Sequence, residues 1–352
     1  MSRKLVLLLK MLAASAALIG VSVIILSRTG GKDASDGATE YFFGMGTSES
    51  LTLYNVKTSK KDELIDRIKL LLTDDTENII SRRREGSELY RLNSEYKPGK
   101  AYTGLSDELY SVISLSLAIS ADCEGAFDIS VRPLSGLWGI EEKTTEEFAV
   151  PSESEIAEAL SLVGYNHVSV AENSVTLDIS GMELDLGACG KGYALDRVKS
   201  ALDEAGAGGA VVSCGGSILV YGDKGDGNGF KVGIRDPFKE DGSVTGYLEF
   251  APGSMRFVST SGDYEKYIEK DGARYHHILD TRTGRPADSG LSSVTVIAEN
   301  GLVSDALSTA CFVLGEEKSK PLLEKYGCEA VFIAKDGQMS FTDGAKKLYR
   351  DA

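Results

Sequence analysis

No two cysteines in this chain are spaced C-x-x-C, which removes a zinc site from consideration together with a dense disulfide framework. Cys123, Cys189, Cys214, Cys311 and Cys328 are widely scattered. Cys311 falls in an apolar helical run, and Cys189 and Cys214 fall in glycine-rich segments, so buried free thiols are expected. Basic charge is scarce as well: 38 Lys and Arg stand against 53 Asp and Glu, a net charge of −15. A nucleic-acid binder needs a basic footprint that this balance does not supply. Acid pairs such as Glu141-Glu142 and Glu146-Glu147 read as solvated surface. The phosphate-loop spacing G-x-x-x-x-G-K-[ST] is missing, and so is a dinucleotide fingerprint in a clear βαβ unit. Histidine is rare, with 3 in 352 residues. His167 has no candidate partners around it and reads as a surface or structural residue.

What is present begins with a long apolar run. Arg3 and Lys4 precede Leu5–Leu26, which is interrupted only by Lys10. Roughly 20 apolar residues cross a bilayer as a helix, so residues 1–27 are expected to form an uncleaved N-terminal membrane anchor. The small residues at Ala13–Ala17 come too early in the run for a cleaved signal peptide. The positive-inside rule leaves the N-terminus in the cytoplasm and the body on the extracytoplasmic side of the cell membrane, a single-pass arrangement. Residues 28–38, rich in Gly, Ser and Asp, read as a flexible linker. Residues 39–352 form the functional domain, and a hydrophobic content of 42% gives it a core.

Within that body, Leu51–Tyr54 alternates as a strand, while Lys61–Asp75 and Asp107–Ser120 carry apolar residues at helical spacing. Ser154–Val163 reads as a short helix, followed by strands at 167–170 and 175–179. Leu184–Asp196 reads as a strand, a glycine turn and a helix start. Ala210–Ile218 gives two strands joined through Gly215-Gly216, and 232–237 with 247–250 continue an antiparallel sheet. Leu291–Ala298 is a buried strand, and 318–326 with 330–334 close the chain as helix and strand.

The chemistry concentrates in Ser259–Thr309. Thr260-Ser261-Gly262-Asp263-Tyr264 offers hydroxyls on a polar glycine turn; His277-Ile278-Leu279-Asp280 sets a histidine near a carboxylate. Asp305, Ser308 and Thr309 fall at i, i+3 and i+4, on one face of a helix that Gly315 ends. Hard oxygen donors suit a cation such as Mg²⁺, which shares its shell with substrate phosphates. A histidine titrates near neutrality and can take a proton from a hydroxyl. Upstream, the glycines of Gly187–Gly192 let backbone approach a phosphate, and Lys191 adds a point charge. The arginines of Ser81–Asn93 suit either forked bonds to phosphate or a solvated turn.

In this order the clusters resemble the FAD:protein FMN transferase family, the ApbE-like flavin transferases. Gly125–Gly139 (GAFDISVRPLSGLWG) is similar almost position by position to the family's G-x-[FM]-D-[IV]-[TS]-V-x-P-L-x-x-L-W-G. Asp185–Asp196 resembles D-L-G-x-x-[AG]-K-G-Y-A-x-D, Thr260–Tyr264 resembles T-S-G-[DS]-Y, and Asp305–Thr309 resembles D-A-x-[DS]-T. His277, rather than His276, holds the histidine position of H-[IV]-[IL]-D-x-x-T-G-x-P. Arg83 stands where many relatives have an aromatic residue, Ser308 where some have an acid, and Cys214 replaces a small or polar residue.

The resemblance covers about Tyr41 to Tyr349 and implies an α+β fold: a mixed, largely antiparallel sheet flanked by helices. It implies that Met45, Arg83, Ala126, Phe127, Asp128, Asp185, Lys191, Thr260, Ser261, Gly262 and Leu279 line an FAD site. The Ala188 carbonyl, Asp305, Ser308 and Thr309 would hold Mg²⁺, and His277 would be the catalytic base. The reaction implied is Mg²⁺-dependent transfer of FMN from FAD to a threonine of an exported target flavoprotein, with release of AMP. An FAD pyrophosphatase and a non-catalytic FAD-binding protein would share much of this site.

Overall fold

The computed structural model describes residues 37–352. The expected anchor at 1–27, and the linker at 28–38 apart from its last two residues, lie outside the described residues. Among the described residues no helix is long and apolar enough to cross a membrane.

The centre is an eight-stranded sheet in the order Thr39–Gly44, Thr47–Tyr54, Gly209–Cys214, Ser217–Gly222, Ser254–Gly262, Leu291–Ala298, Glu329–Ala334 and Met339–Phe341. Every neighbouring pair is antiparallel. The mixed sheet of the expectation is thus corrected to an antiparallel one. Tight connections such as Gly215-Gly216, where φ of Gly215 is +57°, dictate antiparallel pairing of the strands they join.

Alternation along the strands divides the core between two faces. Val212, Leu219 and Phe257 meet Leu195, Val198 and Leu202 of the helix Gly190–Ala205 on one face. Val211, Val220 and Val258 point the other way and meet Phe230, Val232, Leu248 and Phe250. Those last residues belong to a separate three-stranded sheet, Phe230–Arg235, Val244–Phe250 and Tyr349–Asp351, rather than to a continuation of the main one. Leu291–Ala298 is buried at every position because both its faces are covered.

Two helices position the chemistry. Gly190–Ala205 ends at Gly206 in the left-handed conformation, and Gly301–Leu314 starts at Asn300, whose side chain accepts from Val303 N at 2.9 Å. Their first turns touch backbone to backbone: a Cβ on Gly192 would lie 2.0 Å from the Gly301 oxygen. Each helix then satisfies the orphan amides of the other. Asp196 accepts from Gly301 N at 2.7 Å and Leu302 N at 2.9 Å, and Asp305 accepts from Gly192 N at 3.0 Å. Leu184–Gly187 is an irregular extended segment rather than a strand. Its backbone is paired by the Asn93 side chain, which bonds Leu184 N and O at 2.8 Å each, and by the Ile129 carbonyl at 2.7 Å from Asp185 N.

Candidate active site

Asp305 lies at the junction of the two helix starts and is 4% exposed. One carboxylate oxygen takes the Gly192 amide, the other takes Ser217 Oγ at 3.0 Å, and Lys191 Nζ stands 3.6 Å away. The buried carboxylate is thus held between an amide, a hydroxyl and an ammonium. The Lys191 ammonium is kept protonated against its burial, with Asp305 the leading favourable charge.

Hydroxyls gather beside it. Ser261 Oγ is 2.7 Å from Ser308 Oγ and 3.3 Å from Thr309 Oγ1. Ser308 is fully buried and donates to the Asp305 carbonyl at 2.7 Å, turned back onto its own helix. Thr260 and Ser261 do not act as a side-chain pair. They lie in the strand Ser254–Gly262, not in a turn, so they face opposite sides, and Thr260 Oγ1 bonds Thr295 Oγ1 at 2.8 Å on the far face. Gly262 admits the Tyr264 ring, which a Cβ there would meet at 2.5 Å.

The donor set suits a hard cation in kind. Asp305, Thr309 and the half-buried Ala188 offer oxygen only, and Ser259 Oγ, opposite Ser217 in the sheet, is buried without a partner. Among the described residues there is no group of three or more His, Cys, Asp or Glu able to hold a metal alone. One carboxylate with neutral oxygens, completed by ligand phosphates, is the usual Mg²⁺ arrangement.

His277 follows the strand Ala273–His276 and is half-buried. Its Nδ1 lies 3.1 Å from the Lys266 carbonyl, which also takes the His277 amide at 3.0 Å. A carbonyl only accepts, so Nδ1 carries the proton and Nε2 presents its lone pair. Burial pushes the imidazole down to about 4, Lys266 adds to that, and Glu141 opposes it. His276 points the opposite way: its Nε2 donates to the Ala287 carbonyl at 3.0 Å, and it lines a cavity of about 540 Å³ with Trp138 and Asp263.

Glu141 and Glu142 are not idle surface. Glu141 bonds Lys266 at 2.7 Å and Arg83 at 2.8 Å, and Glu142 bonds Arg83 at 2.7 Å and Arg82 at 3.2 Å. Against its desolvation, Lys266 above all, with His277 and Arg83, holds the Glu141 carboxyl down at about 2. The charge of Glu141 bears on both Lys191 and His277. Arg82, rather than Arg83, pairs with Asp185, at 2.5 Å. No sequence motif singled out Glu141, Lys266 or Arg82. The run of three arginines was a signal, but which of them turns inward depends on the tertiary fold.

Met45, at φ +46°, packs toward Gly190 with its sulfur 4.0 Å from Cys214 Sγ. The side chains of Ala126, Phe127 and Leu279 are buried in apolar clusters. Asp128 spends both oxygens on the protein, one on Ser130 N and Oγ at 2.8 and 2.7 Å, the other on Tyr165 N at 2.8 Å. All five cysteines are free and buried, as expected.

The helix-covered antiparallel sheet matches the fold of solved flavin transferases. The chain superimposes on the ApbE protein of Thermotoga maritima with TM-score 0.78 at 31% identity, covering 90% of this chain and 100% of that one. On the flavin transferase ApbE of Vibrio cholerae the TM-score is 0.76 at 28% identity, with 89% and 99% covered. The ApbE family model matches residues 45–332, and the chain belongs to the ApbE family. Relatives named FAD:protein FMN transferase include one from Treponema pallidum, 33% identical over 347 residues with 93% of each chain covered. Another, from Escherichia coli K12, is 31% identical over 297 residues with 83% of each covered.

Proposed function

We propose that this protein transfers FMN from FAD to a threonine hydroxyl of an acceptor protein and releases AMP, with Mg²⁺ required. The observation that carries the reading is the meeting of Asp305, Lys191 and the Gly192 amide at the crossed helix starts. The Lys191 ammonium favours a phosphate by its charge, and the carboxylate beside it would help hold a cation that offsets phosphate charge. Asp305, Thr309 and the Ala188 carbonyl would hold the ion, with Ser308 supporting Thr309 through Ser261. Mg²⁺, when bound, would offset charge on the diphosphate. Met45, Asp185 and Lys191 would contact FAD directly, and Arg82 would orient Asp185.

The Nε2 lone pair of His277 accepts the threonine proton. The threonine oxygen bonds to the FMN phosphorus as the bond from that phosphorus to the bridging oxygen breaks. The bridging oxygen leaves with AMP, and Lys191 is placed to offset charge on the phosphates. The apolar run at 5–26 supports a membrane anchor with the body outside the cytoplasm, so the acceptors would be exported flavoproteins.

The test is turnover of the full chain with FAD, Mg²⁺ and a threonine-bearing acceptor. Acceptor-bound flavin and AMP should appear in equal amounts and vanish with chelator. Asp305→Asn should lose at least about a hundredfold in rate, the scale of removing one charge-stabilising group. Undiminished turnover in chelator, or in Asp305→Asn, would remove the metal and carboxylate roles.

A further inference from the structure

We propose that Glu141 is the positioning residue of His277: it fixes the Lys266 segment that holds the imidazole, and it lays a permanent negative charge beside the ring. The inference rests on the reading of His277 as the base. Glu141 Oε1 accepts from Lys266 Nζ at 2.7 Å while Oε2 accepts from Arg83 Nη2 at 2.8 Å. The main-chain carbonyl of that same Lys266 takes both the amide and the Nδ1–H of His277, at 3.0 and 3.1 Å. A single carboxylate is therefore one residue removed from the contact that selects the tautomer.

The loop bearing Glu141 starts from a fixed point. Trp138 closes the helix Arg132–Trp138 and donates its indole N–H to the Gly284 carbonyl at 2.8 Å, and Gly139 turns the chain at φ +63°. The charged and titratable groups that bear on His277 are Lys266, Glu141 and His276. The Lys266 ammonium and His276 oppose a proton on the ring, while the Glu141 charge and the Lys266 carbonyl favour one. Exposed ion pairs contribute little to stability, so the consequence of this one is the field and the orientation of the ring. With Glu141 neutralised, the ring would lose basicity, and the Lys266 carbonyl would no longer be held against Nδ1.

The experiment compares wild type, Glu141→Gln and Glu141→Asp as full-length protein in detergent, by two readouts. Ring ¹⁵N NMR at neutral pH, assigned with His277→Ala, needs no turnover; wild type and Glu141→Asp should show the Nδ1–H tautomer, and Glu141→Gln a mixture. In FMN transfer, kcat of Glu141→Gln should fall about tenfold, part of the roughly hundredfold or greater effect of a general base. The acid limb of its kcat/KM profile should move down by about 0.5–1 pH unit, with the KM for FAD little changed. A wild-type tautomer in Glu141→Gln, or a lower kcat with an unmoved limb, overturns the proposal. A tautomer change in Glu141→Gln alongside full activity of His277→Ala upholds the positioning and removes only the base reading.

Discussion

Glu49 shows how a single buried group sets a pH dependence for the whole fold. It is 1% exposed, one oxygen takes Cys214 Sγ at 3.3 Å and the other has no partner. Burial raises its pKa from 4.5 to about 8. Between those values the folded chain holds a proton that the unfolded chain has released, so stability falls as pH rises through the window. Glu49→Gln should remove that slope. Its melting temperature should exceed the wild type's by more at pH 8 than at pH 5, with a stability difference on the order of a few kcal/mol. Equal gaps at both pH values would mean that Glu49 is ionised in the fold. The sequence showed the types of several candidate site residues, Asp305, Lys191 and His277 among them, because the proposed chemistry calls for particular functional groups. Glu141 escaped, since a glutamate in a polar loop looks the same whether it meets water or Lys266. Nothing short of the fold brings residues 141 and 266 together.

Gly192 and Gly301 are close-approach glycines, so Gly192→Ala must drive the two first turns apart and break both the Asp196 and the Asp305 caps. A loss of about 3 kcal/mol is expected, read as a lower denaturant midpoint, together with loss of activity. Gly206→Ala, at φ +66° with nothing within 4 Å of the added carbon, should cost only about 1 kcal/mol. Equal effects would show that the helix crossing tolerates a Cβ. Helix periodicity and the Gly215-Gly216 hairpin were legible in the sequence because they are local. The irregular path of Leu184–Gly187 was not, because its backbone is paired by Asn93 and Ile129 rather than by a neighbouring strand. Thr260-Ser261 looked like a turn for a similar reason: hydroxyls and a glycine suggest one, while pairing with Leu291–Ala298 makes a strand of them.

At the scale of the molecule, the antiparallel sheet covered by helices on one face and a small sheet on the other brings distant segments together. Arg82 and Asp185 are linked through Glu142, Arg83, Glu141 and Lys266 to His277, and Lys191 pairs with Asp305; the chain order of the motifs anticipated several of these residues without their geometry. The central claim is that these residues move FMN onto a protein. It is tested most directly by mass spectrometry of an acceptor protein incubated with the full chain, FAD and Mg²⁺, with His277→Ala in parallel. The account predicts an FMN mass on one acceptor threonine, reduced at least about a hundredfold by the substitution. Free FMN and AMP beside an unmodified acceptor would contradict it.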